Sequence, residues 1–124
     1  LVNVLPGGPA NRHIMGADVF AAMPAHAFFV NVGRGETVDE GALLEALRRR
    51  IIAGAGLDVF ESEPMSPDHP LLGMDNVVLT PHIAGSMDNE CRRMGRYAIR
   101  ELEHYLKGEP QDWEITREAA AKLA

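Results

Sequence analysis

Apolar positions along this chain fall into short unbroken runs that alternate with stretches of helical period. Leu1 to Val4 reads as a short buried strand, and Pro6-Gly7-Gly8-Pro9 breaks it into a loop. From Arg12 to Met23, Ile14, Met15, Val19, Phe20 and Met23 recur at helical spacing until Pro24. Ala27 to Val32 is a second apolar run, closed by the tight loop Gly33-Arg34-Gly35. Asp39 is a good N-cap, and Glu40 to Arg50 carries Leu43, Leu44 and Leu47 on one face. Ala53 to Phe60 predicts a third strand, whose glycines allow a close neighbour. Glu61 to Asn76 is a long connection rich in proline and acid, with no helical period. Val77-Val78-Leu79 is the fourth strand, and it must end at Thr80-Pro81 because proline cannot donate to a ladder. Ser86 can cap a helix that runs to Lys107, with Cys91, Met94, Ala98, Leu102 and Tyr105 on one stripe and Gly108 as the stop. Glu109 to Ile115 is an extended return. Thr116 caps a small terminal helix bearing Ala119, Ala120 and Leu123.

Strands alternating with helices indicate an α/β fold with a parallel sheet. Unbroken apolar runs predict strands buried on both faces. At 124 residues, with 46% apolar and 24% charged positions, the chain has ordinary globular composition and length for a real core. A net charge of −6 without a basic cluster argues against nucleic acid. Arg48-Arg49-Arg50 suits a helix end, where cations meet the last carbonyls. No run is long enough to span a bilayer. Cys91 is the one cysteine, so no internal disulfide forms, and a buried or inert thiol is expected. The chain starts inside a strand, without a signal peptide and without methionine, and is expected to be a piece of a longer protein.

In a parallel sheet, whatever follows each strand collects on one edge, where ligands bind. Arg34 follows the second strand, Asp58 and Glu63 the third, and His82 the fourth. The guanidinium of Arg34 offers a planar fork to a carboxylate or carbonyl oxygen. His82 is the natural proton donor or acceptor near neutral pH. Glu63 is placed to hydrogen-bond His82 and favour imidazolium. Asp58 ends a strand, where a carboxylate accepts from an amide or hydroxyl, and capping of the next loop is its plainer use. Each residue alone has such a plain reading: a solvated loop arginine, a surface acid, a loop histidine. Their convergence carries the functional argument. One histidine with two carboxylates is also a metal set. Arg34 would repel a cation, and no H-x-x-x-H or H-x-D spacing is present, so no metal is expected. No G-x-S-x-G elbow accompanies Ser62, Ser66 or Ser86.

With these residues laid out, the chain resembles the C-terminal part of a D-isomer-specific 2-hydroxyacid dehydrogenase, a family that includes phosphoglycerate dehydrogenases and glyoxylate/hydroxypyruvate reductases. The resemblance rests on Asn31-Val32-Gly33-Arg34-Gly35 with Val38-Asp39-Glu40, on Gly54-Ala55-Gly56-Leu57-Asp58-Val59-Phe60, on Glu63-Pro64 and His69-Pro70-Leu71, and on Asn76 through Gly85. These segments stand in the family's order and cover residues 1 to 108. The resemblance implies the C-terminal portion of a Rossmann-type domain, NAD or NADP as cofactor, and a small 2-oxo or 2-hydroxy acid as substrate. It implies that Arg34 binds substrate, that His82 protonates the carbonyl oxygen and that Glu63 holds His82 protonated. It implies cofactor contacts at Leu5, Pro6, Val32, Gly33, Arg34, Asp58, His82 and Gly85. A cytoplasmic homodimer is implied as well. A dinucleotide-sensing scaffold of the corepressor type, without turnover, is the alternative function.

Two departures stand out. The first loop reads Pro6-Gly7-Gly8-Pro9-Ala10-Asn11 where the family has Pro-Leu-Thr, and Met87 replaces a usual Thr. No G-x-G-x-x-G phosphate loop is present. The expectation is therefore residues 1–85 as the C-terminal part of the nucleotide-binding domain, residues 86–124 as a linking helix and return to the substrate domain, and an isolated fragment without activity.

Overall fold

A computed structural model describes residues 1–120; Leu123, expected in the terminal helix, lies outside them. The described residues divide into two compact units, Leu1–Ala84 and the residues from Gly85 on. The first holds strands β1 (Val2–Asn3), β2 (Phe28–Asn31), β3 (Gly54–Leu57) and β4 (Val77–Leu79), with helices α1 (Ala17–Ala22) and α2 (Glu40–Arg48). The strands form one parallel sheet in the order β1-β2-β3-β4. Register pairs Val2 with Val30, Val30 with Gly56, and Gly56 with Val78.

The core lies on one face of this sheet. Phe20 of α1 meets Phe29 of β2 edge-on, ring centroids 5.2 Å apart. Leu43, Ala46 and Leu47 of α2 join them with Ala55, Leu57 and Leu71. Asp39 caps α2 as expected, its side chain accepting from the Ala42 amide at 2.9 Å. Expected burial on both faces does not hold within this unit. Val2, Phe28 and Val78 are 60%, 61% and 69% exposed. Strands laid down in sequential order send each crossover the same way, so helices of one handedness gather on one face. Both helices of residues 1–84 are on that face.

Tertiary pairing also overrides two local expectations. α1 starts at Ala17 and not near Arg12, because the preceding residues bond elsewhere: the His13 amide donates to the Glu36 carbonyl at 3.0 Å and the Met15 amide to that of Thr37 at 2.9 Å. The connection 61–76 contains a 3₁₀ turn, Pro70–Gly73, set by proline at its start and by His69 Nδ1 accepting from the Leu71 amide at 3.3 Å. Leu71 anchors it in the core.

In the second unit, α3 (Asn89–Lys107) ends on Gly108 in the left-handed conformation, φ +69°, as a glycine C-cap should. It starts later than a cap at Ser86 requires, since Met87 closes a turn by accepting from the Glu90 amide at 2.9 Å. α3 buries none of its residues, so Cys91 is exposed and the expected buried thiol is not found. The return folds back on α3 through Arg100 to Asp112 at 2.6 Å. Thr116 Oγ accepts from the Ala119 amide at 3.1 Å and caps α4 (Arg117–Ala120). Among the described residues no helix is long and apolar enough to cross a membrane.

Candidate active site

Because the four strands are parallel, the segments after Asn3, Asn31, Leu57 and Leu79 emerge at one edge of the sheet. Three of them carry the residues singled out for chemistry. Arg34, Gly35, Phe60, Glu63 and His82, with the acids Glu36 and Glu61, line a single open cleft of about 240 Å³ there. His82 Nδ1 lies 2.7 Å from Glu63 Oε2, and both side chains reach solvent. The other oxygen of Glu63 accepts from the Phe60 amide at 3.0 Å, which fixes the carboxylate against its own loop. Burial pushes the Glu63 pKa up, but the hydrogen bonds from His82 and the Phe60 amide and the His82 charge outweigh it, so the net shift is downward. The charged carboxylate is thus kept as an acceptor at the Nδ1 side of the ring.

The loop that presents His82 is strained and held. His82 has φ +55°, a region few non-glycine residues enter. Its amide donates to the Asp58 carbonyl at 2.8 Å. The Asp58 carboxylate is buried and fully used: one oxygen accepts from the Thr80 hydroxyl and from the Ile83 amide at 2.8 Å, the other from the Ala84 amide at 2.8 Å. Asp58 therefore brackets His82 from both sides. Burial raises its pKa, but the Thr80 hydroxyl, the two amides and the His82 charge together outweigh it, leaving it below the ordinary aspartate value.

Arg34 is positioned by groups that sequence reasoning did not single out. Asn3, Asn31 and Thr37 are each about fully buried, at 1%, 1% and 0% exposure. Asn3 Nδ2 donates to Asn31 Oδ1 at 3.0 Å and to Thr37 Oγ at 2.7 Å. Thr37 Oγ in turn donates to the Arg34 carbonyl at 2.6 Å, and Asn31 Oδ1 accepts from the Gly33 amide at 3.1 Å. A buried polar network in which each member is satisfied specifies one arrangement. The available signal was a lone asparagine within an apolar strand run, at Asn3 and again at Asn31. Gly35 completes the geometry: a Cβ there would lie 1.8 Å from the Phe60 carbonyl oxygen, so only glycine lets these two loops meet. The Arg34 guanidinium is exposed and donates to the Gly33 carbonyl at 2.9 Å.

Four of the remaining residues singled out for a cofactor follow the same edge. Leu5 is half-buried, Pro6 and Val32 are exposed and Gly33 is buried, all directly after β1 and β2. Gly85 opens the second unit, with no protein atom within 4 Å of where a Cβ would sit. A proton donor backed by a carboxylate, a guanidinium across a small cleft and a glycine-lined backbone edge fit reduction or oxidation of a small anionic carbonyl compound beside a bound cofactor.

Comparison with known proteins identifies the family. Residues 1–84 match the family described as "D-isomer specific 2-hydroxyacid dehydrogenase, NAD binding domain". Over 106 residues the chain is 50% identical to glyoxylate/hydroxypyruvate reductase B of Salmonella newport (strain SL254), covering 85% of this chain and 32% of that protein. The chain thus spans about a third of the length of such curated relatives. The D-isomer specific 2-hydroxyacid dehydrogenase of Xanthobacter autotrophicus Py2, solved with NADPH and MES, superposes with TM-score 0.80 at 42% identity, over 90% of this chain and 45% of that one. An NADPH-dependent glyoxylate/hydroxypyruvate reductase of Sinorhizobium meliloti, solved with NADP and malonate, gives TM-score 0.83 at 37% identity, over 96% of this chain and 37% of that one.

Proposed function

The chain belongs to the D-isomer specific 2-hydroxyacid dehydrogenase family, and from that premise we propose that the full-length protein transfers hydride between NAD(P)H and a small 2-oxo acid. The observation that carries this reading is the single cleft in which Arg34 faces the Glu63–His82 pair. Residues 1–85 are the C-terminal part of the nucleotide-binding domain, and residues 86–124 are the linking helix and return. The dinucleotide, when bound, supplies the hydride.

The chain's own residues do the rest. Arg34 binds the substrate carboxylate and polarises the carbonyl oxygen with its planar fork. His82 gives a proton to that oxygen in reduction and takes it back in oxidation. Glu63, through Nδ1, leaves the other ring nitrogen of His82 to face substrate. Asp58 holds the His82 loop by its own hydrogen bonds and stands beside the cofactor position. Leu5, Pro6, Val32 and Gly33 provide the backbone edge against which the dinucleotide lies. Glyoxylate and hydroxypyruvate are the substrates of choice, since the Salmonella and Sinorhizobium relatives are named for them. A cytoplasmic homodimer is the proposed working form.

The test follows NADH and NADPH oxidation by the full-length protein against a panel of 2-oxo acids, beside a His82→Asn variant. The expected result is turnover of at least one acid, with a loss of about a hundredfold or more in the variant, the scale of a general acid. Binding of NAD(P)H without reduction of any acid would overturn the activity and leave a dinucleotide-sensing scaffold.

A further inference from the structure

The first loop departs from the family's usual pattern, and the structure shows what its glycines meet. Residues after β1 run along the ligand edge of the sheet beside the arginine loop. Glu36, two residues past Arg34, holds them at both ends. Its Oε1 accepts from the Gly8 amide at 2.7 Å, and its backbone carbonyl accepts from the His13 amide at 3.0 Å. Between these points the loop closes on itself, with Asn11 Nδ2 donating to the Pro6 carbonyl and the Asn11 amide to the Gly8 carbonyl, each at 3.0 Å. Gly7 lies in the crook of the clamp. A Cβ added there would sit 2.2 Å from Glu36 Oε1 and 3.5 Å from Arg34 Cγ. The open side of Gly7 thus faces the Glu36 carboxylate, with the stem of the arginine next beyond it.

We propose that Glu36 is a positioning residue that ties the loop Pro6–His13 to the arginine loop, so that one clamp sets both dinucleotide binding against the first loop and 2-oxo acid binding at Arg34. The proposal rests on the function proposed above. Glu36 acts here as a hydrogen-bond acceptor, through an oxygen that a glutamine also provides. Of the two attachments, the backbone one to His13 needs no particular side chain at position 36, and the one to Gly8 is the carboxylate's own.

The experiment uses the full-length protein with Glu36→Ala, Glu36→Gln and Gly7→Ala. NADPH and NADH binding is read by fluorescence titration, the KM for glyoxylate and hydroxypyruvate by steady-state rates, and the loop by hydrogen exchange of the Gly8 and His13 amides. In Glu36→Ala, dinucleotide Kd and 2-oxo acid KM both rise about tenfold, the size of one hydrogen bond. kcat changes by less than about threefold, because the groups that touch the reacting atoms are intact. Exchange at Gly8 quickens. Glu36→Gln restores both constants to within about twofold, since the acceptor is retained. Gly7→Ala displaces the carboxylate without removing it and reproduces the alanine phenotype, and adding it to Glu36→Ala costs nothing more. It also keeps the test decisive should Glu36→Ala fail to fold.

Unchanged constants in both Glu36→Ala and Gly7→Ala would overturn the clamp. So would a glutamine variant as impaired as the alanine one, which would make the charge and not the acceptor the cause. A rise in the KM for the acid alone, with dinucleotide binding unchanged, would overturn the coupling. If the wild-type protein reduces no 2-oxo acid, the proposed function fails by itself. The titration and the exchange data then still decide whether Glu36 holds the first loop for dinucleotide.

Discussion

At the scale of single residues, the site depends on how its carboxylates are charged. Asp58 and Glu63 both have pKa values lowered in the folded protein, each against an opposing contribution from burial. A lowered folded value means the unfolded chain binds more protons as the solution turns acid. The stabilisation from Asp58 is therefore complete above the unfolded aspartate range, near about pH 4, and drains away as pH falls through the lower folded value. Asp58→Asn tests this. An amide keeps one acceptor oxygen but turns an N–H group toward donors that Asp58 now satisfies, namely the Thr80 hydroxyl and the Ile83 and Ala84 amides. Stability at neutral pH should drop by about 2 kcal/mol, the scale of a buried donor left unmet. The decline in Tm between neutral and acid pH should also become shallower than in the wild type. Thermal melts across that range check both, and a parallel decline would assign the acid sensitivity elsewhere.

Single elements explain why the site residues reach one another. β2 and β3 lie in register from Phe28 with Gly54 to Asn31 with Leu57, so the loops leaving them start level at the sheet edge. Gly35 then lets the two loops touch at Phe60. A methyl group at position 35 meets the Phe60–Glu61 peptide, which cannot rotate away as a side chain would. Gly35→Ala should cost about 2 kcal/mol or more, as overpacked sites do. It should also raise the KM for the 2-oxo acid more than that for dinucleotide, because Arg34 precedes it directly. Denaturant melts paired with steady-state kinetics on the full-length protein check this. A variant with wild-type stability would show that the loops part without loss.

The unit Leu1–Ala84 places its chemistry at an edge and by itself leaves one face of its sheet open. Val2, Phe28 and Val78 on that face, and the apolar stripe Met94, Leu102 and Tyr105 on α3, are exposed in the two units. Large apolar surface in a folded unit marks a place for further contact. The sequence carries no G-x-G-x-x-G loop, whose backbone amides would grip a pyrophosphate. We predict that the 124-residue chain by itself binds NADH and NADPH weakly and reduces no 2-oxo acid, while full-length protein does both. Fluorescence titration and rate assays on the two side by side decide it, and turnover by the short chain would overturn the prediction.

Much of this protein was legible before any coordinates. Alternating apolar runs and helical periods determined a parallel α/β sheet, because hydrophobic period and turn chemistry act locally. Parallel strands sent Arg34, Glu63 and His82 to one edge, and Asp39 and Gly108 marked helix ends through their own side-chain and backbone preferences. Three things needed the tertiary structure. Residues 12–15, helical by period, pair instead with the segment 36–39, and such long-range bonds leave no local trace. One open sheet face follows from strand order, which apolar runs alone do not encode. The supports of the site, Asn3 with Asn31 and Thr37, Asp58 with Ile83 and Ala84 around His82, and Glu36 with Gly8, are hydrogen bonds between residues tens of positions apart. Residue type announces chemistry, but only folding decides which donor finds which acceptor.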